Sequence, residues 1–388
     1  MATLVCVVFA IATVTVGIGQ VVSTVAASNT ELVCGDDVSP ATVAAAQEVL
    51  RGVNPYTAYN VLRAEQALGC PSLNVTPLRS GVFATRMSAP SQTESDAVAR
   101  AALASHAPGG ILLGFNYPAG SAFAGIAGAK ALVLLNTLAL LVAGAVVTRA
   151  AHEGLRRWVG VSLLAQTGVL LLVGPAHPDG IALALLIIAC SSRRMLVGGI
   201  AIGLACATKQ TAWFVAAPLL VLANREGPRP GLRFAAAAGL SFAAVNLPFA
   251  VRDPAAWLSG VLAPQTSPEF TIGSGPIRFF GDPGTALTAV TAGATSMTVL
   301  TVLAEMVLAW RGHGGWAEAG VIVASLGLWD GPRSLSFYIA LLGAVAVSIC
   351  ARPPMSHGLP SLVVDAGSSS TARCAYRNAQ TRQPVTTT

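Results

Sequence analysis

ALVLLNTLALLVAGAVVT, residues 131–148, carries no charge at all and ends directly on Arg149. A helix needs about 20 apolar residues to cross a hydrocarbon core of about 30 Å, and this run is close to that length. Comparable runs occur at 3–26, 158–175, 180–190, 195–207, 211–224, 233–250, 286–310, 317–328 and 335–351. Several are short, which fits tilted or broken helices buried among neighbours. The predicted fold class is therefore all-α: a polytopic transmembrane bundle of about ten helices. Composition agrees. Of 388 residues, 54% are hydrophobic and 10% charged, where a soluble domain carries about 25% charged residues.

The charges that remain set the orientation. The net charge of +6 is almost all arginine, since Lys130 and Lys209 are the only lysines. A nucleic-acid binder would gather that charge on one soluble face, whereas here it is dispersed between apolar runs. Arg149, Arg156 and Arg157 fill one connection, Arg193 and Arg194 the next but one. Arg225, Arg229 and Arg233 follow, then Arg311, then Arg352. They occupy alternate connections, which the positive-inside rule assigns to the cytoplasm. The other connections then face outward: 27–108, HPDG at 177–180, Lys209, 251–285 and WDGPR at 329–333. The residues of chemical interest fall in this second set, so an extracytoplasmic working face is expected.

Two segments qualify the threading. The N-terminal run lacks a basic leader and is longer than a signal-peptide core, so it reads as the first span. GGILLGFNYPAGSAFAGIAG, 109–128, is apolar enough to cross. Its glycines and Tyr117-Pro118 favour a shallow or re-entrant element instead. The transmembrane domain is assigned to 1–351, with 27–108 as a long first loop bearing short helices. The polar tail 352–388 is expected to be disordered and cytoplasmic.

Within the first loop stands CGDDVSPATVAAAQEVLRGVNPY, residues 34–56. Ser39 and Pro40 read as an N-cap and first helical residue, and Gly52 as the residue closing the helix. Asp36 and Asp37 then precede a helix N-terminus. As structural residues they complement its dipole; as chemical ones, either is placed to be a general base. Cys34 and Cys70 share this loop and are able to pair if it lies outside the cytosol. The cysteines of the apolar runs read as small packing residues. No Cys or His spacing suggests a metal, and none is expected.

The order Gly52-Val53-Asn54-Pro55-Tyr56, then Phe115-Asn116-Tyr117-Pro118, resembles the GT-C class of integral-membrane glycosyltransferases. His177-Pro178-Asp179-Gly180 is similar to the class's element opening a later helix. The stretch Gly203 to Lys209-Gln210, followed by Pro218, also matches, as do Asn246-Leu247-Pro248-Phe249 and Arg252-Asp253-Pro254 in actinobacterial members. The likeness spans roughly residues 1–345. It departs at Pro40 and Ala41, where an aromatic is usual, and at Ala119, where a second proline is usual.

The resemblance implies an enzyme of the bacterial plasma membrane, active at its outer face. It would transfer a sugar such as mannose or arabinose from a polyprenyl-phosphate carrier to a glycolipid or cell-envelope polysaccharide, with inversion. No cofactor is implied beyond that donor, and the partners are the two substrates and membrane lipids. The first-loop acid is the base of the class, so the role passes to Asp37 or Asp36, with Asp37 favoured as nearer the helix. Since the phosphate is already a good leaving group, one carboxylate suffices, unlike the pair in inverting hydrolases. Asn54, Tyr56, Tyr117, His177, Asp179, Lys209 and Arg333 are the expected substrate-binding residues. Each has a plainer reading: Asn54 and Tyr56 shaping a turn, Asp179 capping a helix, Lys209 snorkelling to headgroups, Arg333 pairing with Asp330. Trp213, Trp257, Trp310 and Trp316 fit interfacial anchoring. A transporter or flippase, for which Glu305 would be the intramembrane charge, and an inactive scaffold are the alternatives.

Overall fold

The computed structural model describes residues 22–151 and 176–270, except for 25, 35, 87, 106–108 and 193. It also describes 15, 19, 160, 272–273, 333–334 and 344–349. The spans expected at 158–175, 286–310 and 317–328, and most of those at 3–26 and 335–351, lie outside these residues. So do Trp310, Trp316, Glu305, Asp330 and the 352–388 tail.

The first loop folds into short helices: α1 (Asn29–Val33), α2 (Val38–Leu50), α3 (Pro55–Ala58), α4 (Val61–Ala67) and α5 (Gln92–Ser105). Their core is built from Tyr59, Leu62, Leu73, Phe83, Ile111, Phe115 and Phe270. Each large apolar side chain fully withdrawn from water there contributes about 1.5–3 kcal/mol. Helix α2 ends as expected. Gly52 adopts φ +75°, its N–H donates to Val49 and that of Val53 to Glu48, a left-handed closure that favours glycine.

Helix α6 (Ala119–Gly125) is the only helix in the 109–128 segment. Its seven residues span about 10 Å, which agrees with a shallow element and not a crossing. It packs on α2.

The apolar runs become α7 (Ala129–Ala150), α8 (Asp179–Ser191), α9 (Met195–Thr208), α10 (Trp213–Asn224) and α11 (Pro228–Arg252). Helix α12 (Pro254–Thr266) follows, with Asp253 capping the Ala256 amide. Among the described residues, α7 and α11 are long and apolar enough to cross a membrane, with mean hydropathies of 2.3 and 1.7. On α7, Leu134, Leu138, Leu141 and Val142 are exposed, while Leu132, Asn136, Leu140 and Val147 on the other side are buried. An apolar exposed face over a buried one is the pattern lipid contact requires.

The α9–α11 contact depends on small residues. A Cβ on Gly203 would sit 2.2 Å from the Ala238 carbonyl oxygen, and one on Gly199 2.5 Å from that of Phe234. Two glycines four apart let the backbones approach, as in helix pairs within membranes. Gly203→Val should therefore lower stability by about 1–3 kcal/mol through overpacking, read as a fall in melting temperature in detergent. Gly239, open within 4 Å, is the control and should tolerate alanine.

Candidate active site

The two aspartates part company at once. Asp36 Oδ1 accepts from the Val38 and Ser39 amides at 2.8 and 2.7 Å, and the Ser39 hydroxyl donates to its Oδ2. So Asp36, not Ser39, supplies the side-chain cap of α2, which starts at Val38, two residues earlier than expected, with Asp37 in the N-cap position. A carboxylate reaches two free amides where a serine hydroxyl would reach one. Asp37 is released from that task. Its Oδ2 accepts from the Thr76 hydroxyl, and it lines a small open cleft together with Tyr59, Thr76, Asn116 and Tyr117.

Thr76 is well anchored. Its carbonyl accepts from Leu112 N and the nearby Leu78 N donates to Gly110. Upstream, Cys34 and Cys70 form the disulfide, with Cα atoms 5.3 Å apart, and the Asn74 side chain donates to the Cys34 carbonyl at 2.6 Å. Residues 70–76 are thus strapped to both sides of the aspartate pair.

A chain of buried charges runs from Asp36 inward. His177 Nε2 lies 2.8 Å from Asp36 Oδ2, and His177 Nδ1 3.4 Å from Asp179 Oδ2. The first is a charge contact off the line of an ideal hydrogen bond. Asp179 Oδ2 is 3.1 Å from Lys209 Nζ, which stands 4.4 Å above the Tyr117 ring. Burial alone would raise the Asp36 carboxyl. The imidazole of His177, with the two capping amides, outweighs burial and holds it below the usual carboxylate value. Burial likewise opposes charge on His177, but the two aspartates pull it up to about 9. Asn136 on α7 fixes the HPDG turn: its amide donates to the His177 carbonyl and its oxygen accepts from Ile181 N. Gly180 is obligatory there, since a Cβ would meet the Asn136 side chain at 2.7 Å.

The other motifs meet in the same layer. Asn54 caps α3 through the Tyr56 amide, and the Tyr56 hydroxyl donates to the Tyr117 carbonyl at 2.7 Å. Arg252 donates to the Gly52 carbonyl. Asn246 accepts from Ala119 N and from the Trp257 indole, and Gln210 donates to the carbonyls of Asn116 and Val261. Trp213 and Trp257 are thereby internal hydrogen-bond donors as well as apolar surfaces.

Of the expected site residues, Asp37 and Tyr117 line the cleft. Asp36, His177, Asp179 and Lys209 form the buried chain beside it, and Lys209 is neither snorkelling nor exposed. Asn54 and Tyr56 build the turn of α3, from which the Tyr56 hydroxyl reaches the Tyr117 carbonyl. Arg333 is placed only by its backbone, in a two-residue strand β2 (Arg333–Ser334) paired parallel with β1 (Ile272–Gly273). Thr76 and Asn136 were not singled out from sequence, and Asn116, Gln210 and Asn246 stood in quoted motifs without a role. A lone asparagine inside an apolar run was the available signal for Asn136.

Glu65 on α4 is fully buried. Its Oε2 accepts from Asn74 N at 2.8 Å, while Oε1 has no hydrogen-bond partner. Burial first, then the charges of Asp37, Asp36 and Asp96, push its carboxyl up to about 8, against the pull of the Asn74 amide. A raised carboxyl favours folding most below its ordinary range, and the benefit fades as pH rises through about 8. His177 has the same sign, lost as pH passes about 9. Melting temperature should therefore fall between pH 6 and 9, and Glu65→Gln should flatten part of that fall.

In comparisons with family models, curated proteins and solved structures, nothing matches this chain. Among the described residues no cluster of three or more His, Cys, Asp or Glu has the arrangement to hold a metal ion.

Proposed function

We propose that this chain is a multi-pass membrane glycosyltransferase of the GT-C kind, with its cleft at the extracytoplasmic face. It moves a sugar from a polyprenyl phosphate to a hydroxyl of a glycolipid or cell-envelope polysaccharide. The observation that carries this reading is the division of labour between the aspartates. Asp36 bonds to the α2 amides and faces His177, while Asp37 makes no bond to those amides, lines the cleft and accepts from Thr76. Asp37 takes the acceptor proton as the acceptor oxygen bonds to the anomeric carbon from the side opposite the phosphate. The bond from that carbon to the phosphate oxygen breaks, and its electron pair leaves with the polyprenyl phosphate. The sugar is transferred with inversion, and the proton passes from Asp37 to water. The test is incubation of the purified protein in nanodiscs with radiolabelled polyprenyl-phosphate mannose or arabinose and extracted envelope glycolipids. Label moving into the glycolipid supports the reading, and its absence with every donor and acceptor pair defeats it.

One observation favours transport instead: the buried His177–Asp179–Lys209 chain at the head of an apolar helix resembles an ion path. Substrate or proton flux in proteoliposomes, abolished by Asp179→Asn and unaccompanied by sugar transfer, would select that account.

A further inference from the structure

Away from the aspartates, a group of arginines stands over exposed apolar helix faces. Helix α8 runs 13 residues from Asp179 to Ser191, about 20 Å, so the chain turns into α9 that far from the buried charges. Arg194 is the N-cap residue of α9. Arg229 and Arg233 lie in the first two turns of α11, four apart and hence on one face. Phe234, next to Arg233, lines a small crevice together with Arg194 and Gly198, so the starts of the two helices meet. All three arginines are exposed, and among the described residues their side chains have no hydrogen bond or ion pair. Glu226 is the one acid at this end among the described residues, and it and Arg225 have partners of their own.

The surface below these cations is hydrocarbon. Arg229, Leu232, Arg233, Ala236 and Leu240 follow helical spacing down one exposed stripe of α11, with Leu232 and Leu240 70% and 72% exposed. Leu240 lies about 10 Å along the helix from Arg233, more than the roughly 6 Å depth of one headgroup layer. On α9, Leu196, Val197 and Ile200 are likewise exposed beyond Arg194. A guanidinium aligns two N–H groups with phosphate oxygens. A soluble anion would use the arginines and leave the leucines in water. A zwitterionic lipid would cover the leucines and bring no net charge. An anionic phospholipid matches both.

We propose that Arg194, Arg229 and Arg233 bind the phosphate of an anionic phospholipid whose acyl chains lie along the exposed faces of α9 and α11. This goes beyond the transferase reading and does not depend on it; it rests on α11 crossing a membrane. The test uses the full-length protein in detergent, with bound lipid counted by native mass spectrometry. The probes are dioleoyl phosphatidylglycerol, dioleoyl phosphatidylcholine and glycerol 3-phosphate. The variants are Arg194→Gln, Arg229→Gln and Arg233→Gln, alone and together. Arg149→Gln is the control, an exposed cation at the end of α7, which packs on α8. Melting temperature in lipid-free detergent checks folding, and the single variants carry the test should the triple misfold.

Phosphatidylglycerol should bind the wild type about tenfold or more tighter than phosphatidylcholine, and each single variant should lose about fivefold, the scale of one basic residue at a membrane surface. The triple variant should bind the two lipids alike, and Arg149→Gln should change the preference by less than about twofold, since charges beyond a Debye length are screened. Equal binding of the two lipids to the wild type, a preference that survives the triple variant, or an equal loss in Arg149→Gln would overturn the inference. So would glycerol 3-phosphate binding as tightly as phosphatidylglycerol, which would make this a site for a soluble phosphate. A poly-glutamate peptide binding more tightly than the lipid would also overturn it, in favour of an acidic protein partner.

Discussion

Replacing Asp37 with asparagine should abolish sugar transfer, by about 10²–10⁴-fold, the usual contribution of a positioned general base. The protein should still fold. Asparagine keeps an oxygen to accept from Thr76, and Asp37 makes no side-chain bond to the α2 amides. Asp36→Asn is the informative contrast. Its amide oxygen still accepts from Val38 and Ser39, but the charge facing His177 is gone. That variant should lose stability and only a modest part of its rate. Parallel transfer assays and melting curves on the two proteins check both statements. Equal rate losses would mean that the aspartates act as a unit, contrary to the separate tasks their hydrogen bonds describe.

The second large effect concerns Lys209. Lys209→Met should cost about 3–5 kcal/mol, the usual loss when one member of a buried ion pair is removed. Asp179 then retains only the longer contact to His177 at 3.4 Å. The ammonium also leaves the Tyr117 ring, so the cleft wall should loosen and activity fall with stability. Adding Asp179→Leu should restore much of the melting temperature, because removing both charges of a buried pair is far milder than removing one. A lysine that merely reached for headgroups would give a nearly silent single variant, so thermal shift in detergent separates the two cases.

What the sequence discloses is its local chemistry. An uncharged run such as 131–148 reads as a helix, and α7 forms over it with a row of exposed apolar side chains. Gly52 after VLR and proline after Asn54 mark turns that form where the pattern places them. Cys34 and Cys70 share a loop and so were able to pair, and the fold brings them together. Tertiary reach is what stays hidden. Asp36 outcompetes Ser39 as the cap because His177, 141 positions away in the chain, rewards a charge there. Lys209 reads as a helix-end cation until Asp179 is seen against it. Asn116 enters the sequence only as part of Phe115-Asn116-Tyr117-Pro118, and only the fold puts it in one cleft with Asp37. The resemblance rests on motifs whose residues prove to bond one another: Tyr56 to Tyr117, Arg252 to Gly52, Gln210 to Asn116.

The contact between Asn136 and Gly180 also constrains how this lineage can drift. Any side chain at 180 collides with Asn136, so residue 136 must shrink first. Shrinking it strips the His177 carbonyl and the Ile181 amide of their partner, and the buried charges lose their footing. Either first step is harmful, and only the double change removes the clash. The two positions are therefore expected to stay frozen together over long divergence, or to change together in a single founder, with intermediates absent.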